Sequence, residues 1–141
     1  MKKLLAALLL ASGLALAHAE LESSVPGVDS TVKTLPGTVA VNFTEAVEVK
    51  LSTFKIYPLG AAGNKAQLGA QAQTLVRQVL KAKNDADKRV DSGVKTAAKT
   101  AKSITLGLKP NLKPGAYVVM WQNLSTDGHT SSDFFVFTYK P

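Results

Sequence analysis

Residues 115–139 run Gly115-Ala116-Tyr117-Val118-Val119-Met120-Trp121-Gln122-Asn123-Leu124-Ser125-Thr126-Asp127-Gly128-His129-Thr130-Ser131-Ser132-Asp133-Phe134-Phe135-Val136-Phe137-Thr138-Tyr139. Successive side chains of a strand point to opposite faces, so Tyr117, Val119 and Trp121 share one face, as do Phe135, Phe137 and Tyr139. The stretch is therefore two aromatic strands joined by a loop over Leu124–Asp133, which carries Asp127-Gly128-His129. Tyr117, Trp121, Phe135 and Phe137 are expected to fill the core, because the inward faces of sandwiches are built this way. Trp121 is not assigned to any site.

Working outward, Ile104, Leu106 and Leu108 alternate ahead of a turn at Lys109-Pro110 and Lys113-Pro114-Gly115. Further upstream, Val39, Val41 and Phe43 alternate, and so do Phe54 and Ile56 more weakly. Pro26-Gly27, Pro36-Gly37 and Pro58 with Gly60 punctuate this region. Short strands separated by turn signals, about five to seven in all, predict an all-β sandwich or barrel.

Between these zones the composition changes. Gly69–Lys102 lacks proline and aromatics and is rich in Ala, Gln, Lys, Asp and Val. Leu75, Val76, Val79 and Leu80 form one stripe of a helix. Asp91-Ser92-Gly93 looks like a break, and Val94–Lys102 is barely apolar, so it is expected to be solvated chain. The flanking zones must pair with each other across this segment. That gives one domain over 18–141 with a partly helical insertion at about 69–102.

The formal charge of +7 is concentrated. Lys2 and Lys3 lie in a basic start followed by an uncharged run, Leu4–Leu16, and by Ala15-Leu16-Ala17, an A-x-A cleavage signal. This is the pattern of a secretory signal peptide over 1–17, and the apolar run falls short of the about 20 residues a spanning helix needs. Export then places the chain in the periplasm or another extracytoplasmic space. The remaining excess of positive charge falls in Gln71–Ser103, where eight basic residues face three acids. A basic insertion of this kind fits an acidic partner or anionic lipid, or is simply a solvated face. Without interleaved aromatics or a groove-reading motif, it does not indicate nucleic-acid binding.

Beyond residue 17 the chain holds two histidines, His18 and His129, one methionine, Met120, and no cysteine. Thiolate zinc sites, iron–sulfur clusters and a cysteine nucleophile are thereby excluded. Neither a G-x-S-x-G elbow nor a phosphate-binding glycine loop is present. A cut after Ala17 makes His18 the N-terminus, with an amine and an imidazole on one residue. The amine has an ordinary pKa of about 7.7–8.0, so a metal displaces its proton at little cost near neutrality. Asp127 and His129 are spaced i, i+2 and converge if the loop is extended. Together these groups supply three nitrogens and one oxygen, a tetragonal set suited to a single Cu(II) ion, with zinc the nearest competitor. Taken alone, Asp127-Gly128 also reads as an ordinary turn, and a cut before Glu20 would remove His18.

The combination of His18-Ala19-Glu20-Leu21-Glu22-Ser23-Ser24-Val25-Pro26-Gly27, Val41-Asn42-Phe43-Thr44-Glu45-Ala46-Val47, Gly115–Trp121, Ser125-Thr126-Asp127-Gly128-His129 and Phe135-Val136-Phe137 resembles the CopC-type periplasmic copper-binding proteins. The resemblance covers the zones on either side of the insertion. It implies an immunoglobulin-like Greek-key β-sandwich or barrel. It also implies Cu(II) held by the amine and imidazole of His18 with Asp127 and His129. Such proteins carry or sequester copper in homeostasis or resistance and are not known as enzymes. Any inner-membrane copper transporter is then expected to be a separate protein. Some members add a methionine-rich Cu(I) patch, which this sequence lacks. Glu45 matches an acidic position of the family and is a candidate partner for a ligating histidine. Two departures stand out: the long insertion, and Asp133 where glycine is usual. Two other functions fit parts of the pattern. One is an oxidative copper enzyme with a histidine-brace site, against which Asp127 argues by filling the metal's plane. The other is a metal-free sandwich binding module.

Overall fold

The computed structural model describes residues 18–60 and 63–141. The signal-peptide reading of residues 1–17 lies outside the described residues. The strands are β1 (Leu21–Val25), β2 (Thr31–Val32), β3 (Thr38–Glu48), β4 (Thr53–Pro58), β5 (Asp91–Val94), β6 (Thr100–Leu108), β7 (Gly115–Leu124) and β8 (Thr130–Tyr139). One helix, α1 (Lys65–Val79), lies between β4 and β5. The strands form two four-stranded sheets, ordered β1-β3-β6-β5 and β2-β8-β7-β4. Every pairing is antiparallel except the short β2–β8 contact. The all-β sandwich expected from the alternating strands is the fold observed. No helix among the described residues is long and apolar enough to cross a membrane.

The core between the sheets follows the sequence alternation. Val39, Val41, Phe43, Ile104 and Leu106 face inward from one sheet, and Phe54, Ile56, Tyr117, Val119, Trp121, Phe135 and Phe137 from the other. The four expected core aromatics are all buried. Trp121 packs edge-on against Phe43, with ring centroids 5.6 Å apart.

A second apolar layer lies on the outer face of the β2-β8-β7-β4 sheet. There Tyr57, Ala116, Val118, Met120 and Val136 meet Ala72 and Val76 of α1, with Leu68, Leu75 and Val79 around them. The helix forms where the apolar stripe predicts, but it begins ahead of residue 69. Asn64 caps it, accepting from the Gln67 backbone N–H at 2.9 Å while the Gln67 side chain accepts from the Asn64 N–H at 3.0 Å. Residues 65–79 are thus a structural layer, and β7 is buried on both faces.

Two expectations for the insertion require correction. Asp91-Ser92-Gly93 is not a break, and Val94–Lys102 is not merely solvated chain: β5 and the start of β6 lie here. The pairing is supplied by distant sequence. Ala101 sits opposite Val47 of β3, and Val94 opposite Leu106. Asp91 is buried because its Oδ1 accepts the Ile56 N–H at 2.8 Å and the Arg89 Nε–H at 3.0 Å. Lys55, 2% exposed, donates from Nζ to Asp85 Oδ2 at 2.7 Å and to the Val79 and Ala82 carbonyls at 2.9 and 2.7 Å. These contacts tie the chain after α1 to the edge strand β4.

Candidate metal centre

The β7–β8 hairpin places Asp127 and His129. The Ser125 N–H donates to the His129 carbonyl at 2.9 Å, and the Gly128 N–H donates to the Ser125 carbonyl at 3.0 Å. Thr126, Asp127 and Gly128 therefore form a three-residue hairpin loop, which requires a positive φ at its last position. Gly128 supplies it, with φ 92°. The Asp127 Oδ1 accepts from the His129 N–H at 3.1 Å, closing the local turn that Asp side chains favour. Asp127 and His129 thus converge, as their spacing predicts, but through this turn instead of through extended chain. His129 Nδ1 lies 3.1 Å from Asp127 Oδ2.

The Asp127 carboxyl is held down to about 2, first by the Ser125 hydroxyl and then by the His129 backbone N–H. It is therefore ionised throughout the ordinary pH range, as a metal-ligating carboxylate must be. Both side chains remain open to solvent, with exposures of 44% for His129 and 33% for Asp127.

His18 arrives from the other end of the chain. The Thr44 N–H donates to the Glu20 carbonyl at 2.9 Å, and Thr44 Oγ1 accepts from the Glu20 N–H at 3.1 Å. The same hydroxyl lies 3.3 Å from the His18 carbonyl. The hairpin loop rests on the same strand: Thr126 N–H donates to the Ala46 carbonyl at 3.3 Å, and Ser125 bridges to Val47. His18 and His129 therefore meet edge-on, with ring centroids 5.3 Å apart.

His129 is the shared member of the site, touching His18 on one side and Asp127 on the other. Among the described residues, no three His, Cys, Asp or Glu side chains form a ready-made cage. The three expected side-chain ligands, His18, Asp127 and His129, are therefore joined in pairs through His129 and do not form a closed set. Two bonds of about 2.0–2.2 Å meeting at a right angle put their donor atoms about 3 Å apart. The Asp127–His129 separation of 3.1 Å suits that corner of a square. Glu45 is exposed on β3 between Thr44 and Ala46, and no hydrogen bond or ion pair joins it to either histidine. Met120 is fully buried beneath α1, away from the inter-sheet core.

Sequence reasoning did not single out Ser125, Thr44, Asn123 or Ser131. For Ser125 and Thr44 a single sequence carries no signal beyond their nearness to quoted motifs. Asn123 did carry one: it continues the inward series Tyr117, Val119, Trp121 as a polar residue at an apolar position.

A family model described as the CopC domain matches residues 72–140. The chain is 30% identical over 131 residues to copper resistance protein C of Escherichia coli, covering 89% of this chain and 84% of that one. It is 29% identical over 125 residues to protein YobA of Escherichia coli strain K12, covering 88% and 80%. Among solved structures it resembles CopC from Methylosinus trichosporium OB3b, with a TM-score of 0.61, 26% identity and coverage of 88% and 95%. It likewise resembles PcoC, a methionine-rich copper resistance protein from Escherichia coli, with a TM-score of 0.60, 26% identity and coverage of 88% and 100%.

Proposed function

Because the chain belongs to the CopC family, we propose that it is an exported protein that binds one Cu(II) ion and carries or sequesters it. The observation that carries this reading is the meeting of His18 and His129, brought from opposite ends of the sequence to 5.3 Å between ring centroids. Removal of residues 1–17 frees the His18 amine beside its own imidazole, a bidentate nitrogen grip. Asp127 and His129 supply the other two donors. The set is hard and nitrogen-rich, which favours Cu(II) over Cu(I). The burial of Met120 supports the same preference, since it withholds the one soft ligand beyond residue 17. Glu45 is the candidate partner for orienting a ligating histidine.

Solvent-open ligands and a filled metal plane suit transfer or storage of copper, not oxidation of a substrate. Copper leaves for, or comes from, a separate membrane transporter. Asp85 and Asp91 are taken up by Lys55 and Arg89, so the exposed basic residues between Arg77 and Lys102 face only Asp87 as an exposed acid within that segment. These basic residues are the ones assigned to an acidic partner.

The test is intact mass of the exported chain, followed by Cu(II) titration monitored by electron paramagnetic resonance. A chain beginning at His18 and binding one equivalent with nitrogen hyperfine structure is expected. His18→Ala or His129→Ala should weaken binding beyond the about 10–100-fold typical of residues that only orient a ligand. A chain beginning at Glu20, or either variant binding normally, overturns the reading.

A further inference from the structure

Asn123 is 1% exposed on the inward face of β7, where the three preceding inward residues are Tyr117, Val119 and Trp121. A buried amide must find partners for its donors and its acceptor. Asn123 Nδ2 donates to the Ala19 carbonyl at 3.0 Å, and its Oδ1 lies 3.0 Å from Ser131 Oγ. Ser131 Oγ also lies 3.3 Å from the Ala19 carbonyl. A serine hydroxyl carries one proton, and the shorter contact assigns it to Asn123 Oδ1. Ser131 thereby fixes the amide's orientation and turns its N–H toward Ala19. The Ala19 methyl is itself buried in the inter-sheet core, 2% exposed. The residue next to His18 is therefore held twice, by its side chain and by its carbonyl.

We infer that Asn123 is a positioning residue that locks the Ala19 carbonyl and so sets the point from which His18 faces His129. The inference rests on the copper reading above. It explains why an amide occupies a position whose neighbours on that face are apolar. A chain begun at Glu20 would leave this amide without its acceptor and the core without the Ala19 methyl, so the lock is complete only in a chain that starts at or before Ala19. A terminus already held in place loses less freedom when it takes up the metal, and affinity rises accordingly.

The experiment uses the exported, processed chain, with its start verified by mass and Cu(II) itself as the probe. Chelator competition gives the affinity, and amide order parameters of the metal-free protein report the lock directly. In the wild type the Ala19 and Glu20 amides should be as rigid as those of β7. Asn123→Ala should release them, leave the Asp127 and His129 amides unchanged, and lower Cu(II) affinity about tenfold or more. Ser131→Ala keeps the Asn123 side chain and should give a smaller loss in the same direction, which serves if Asn123→Ala does not fold. Val118→Ala, beneath α1, lowers stability without touching the lock and should leave affinity unchanged. Mobile Ala19 and Glu20 amides in the metal-free wild type overturn the inference. So does a folded Asn123→Ala protein with wild-type affinity. If the wild type binds no Cu(II) while Asn123→Ala still frees the terminus, the copper reading fails and the lock stands.

Discussion

Asp85→Ala tests whether the segment after α1 is an integral part of the fold. Lys55 is 2% exposed, and Asp85 is its ion-pair partner at 2.7 Å. Removing the carboxylate leaves an ammonium buried with only the Val79 and Ala82 carbonyls as acceptors. Breaking a buried pair from one side costs about 3–5 kcal/mol. Against a total of about 5–15 kcal/mol for a domain, that is a large share. Lys55→Met should cost less, because Asp85 keeps the Tyr57 hydroxyl and has Arg89 at 3.9 Å. Lys55→Met with Asp85→Leu should recover part of the loss, since the apolar pair leaves no buried charge, though it leaves the Tyr57 hydroxyl without its acceptor. Urea unfolding of the four proteins at pH 7 gives the values. The pH dependence has a definite sign. Burial pushes the Asp85 carboxyl up, but hydrogen bonds from Lys55 and Tyr57 and the charge of Lys55 outweigh it and leave it below its ordinary value. The pair's contribution is then complete above the unfolded carboxyl value of about 3.9 and is lost as pH falls through the lower folded value. The stability gap between wild type and Asp85→Asn should therefore close in acid. An Asp85→Ala loss below about 1 kcal/mol, the value of an exposed pair, would refute the reasoning.

Two further outcomes follow from the fold. Gly128→Ala forces an L side chain to φ 92° and should cost about 1–2 kcal/mol by urea unfolding, with weaker Cu(II) binding in the same titration as the hairpin loop shifts. Met120→Ala should cost about 2–5 kcal/mol and leave the Cu(II) stoichiometry and spectrum unchanged, because Met120 packs under α1.

The strands that carry the core were legible because both sheets bury one face against the other, and Val39-Val41-Phe43 or Phe135-Phe137 has no other way to bury its apolar side. The role of α1 was half legible. Its stripe was visible, but where it packs, on the second face of β7 at Val118 and Met120, was not read from the alternation. β5 and the start of β6 were not legible. Asp91-Ser92-Gly93-Val94 and Thr100-Ala101-Lys102 carry no apolar period; β5 is a strand because it pairs with β6, Val94 opposite Leu106, and β6 begins where Ala101 meets Val47 of β3. Lys55 is buried by partners 24 to 30 residues away, which local pattern does not encode. At the site, the scarcity of histidine pointed to His18 and His129. The Ser125 and Thr44 hydroxyls that shape it are common residues whose role depends on what folds beside them.

The most direct test of the copper reading is to block the His18 amine and nothing else. Its ordinary pKa of about 7.7–8.0, against about 10.4 for lysine, allows selective acetylation near pH 6.5. The acetylated chain keeps every side chain of the site and loses one nitrogen donor. Cu(II) affinity should fall more than about 100-fold, beyond the range of residues that only orient a ligand, and the nitrogen count in the resonance spectrum should drop from about three to two, as the N/O donor set requires. An acetylated chain that binds Cu(II) with the affinity and spectrum of the free one would contradict the account.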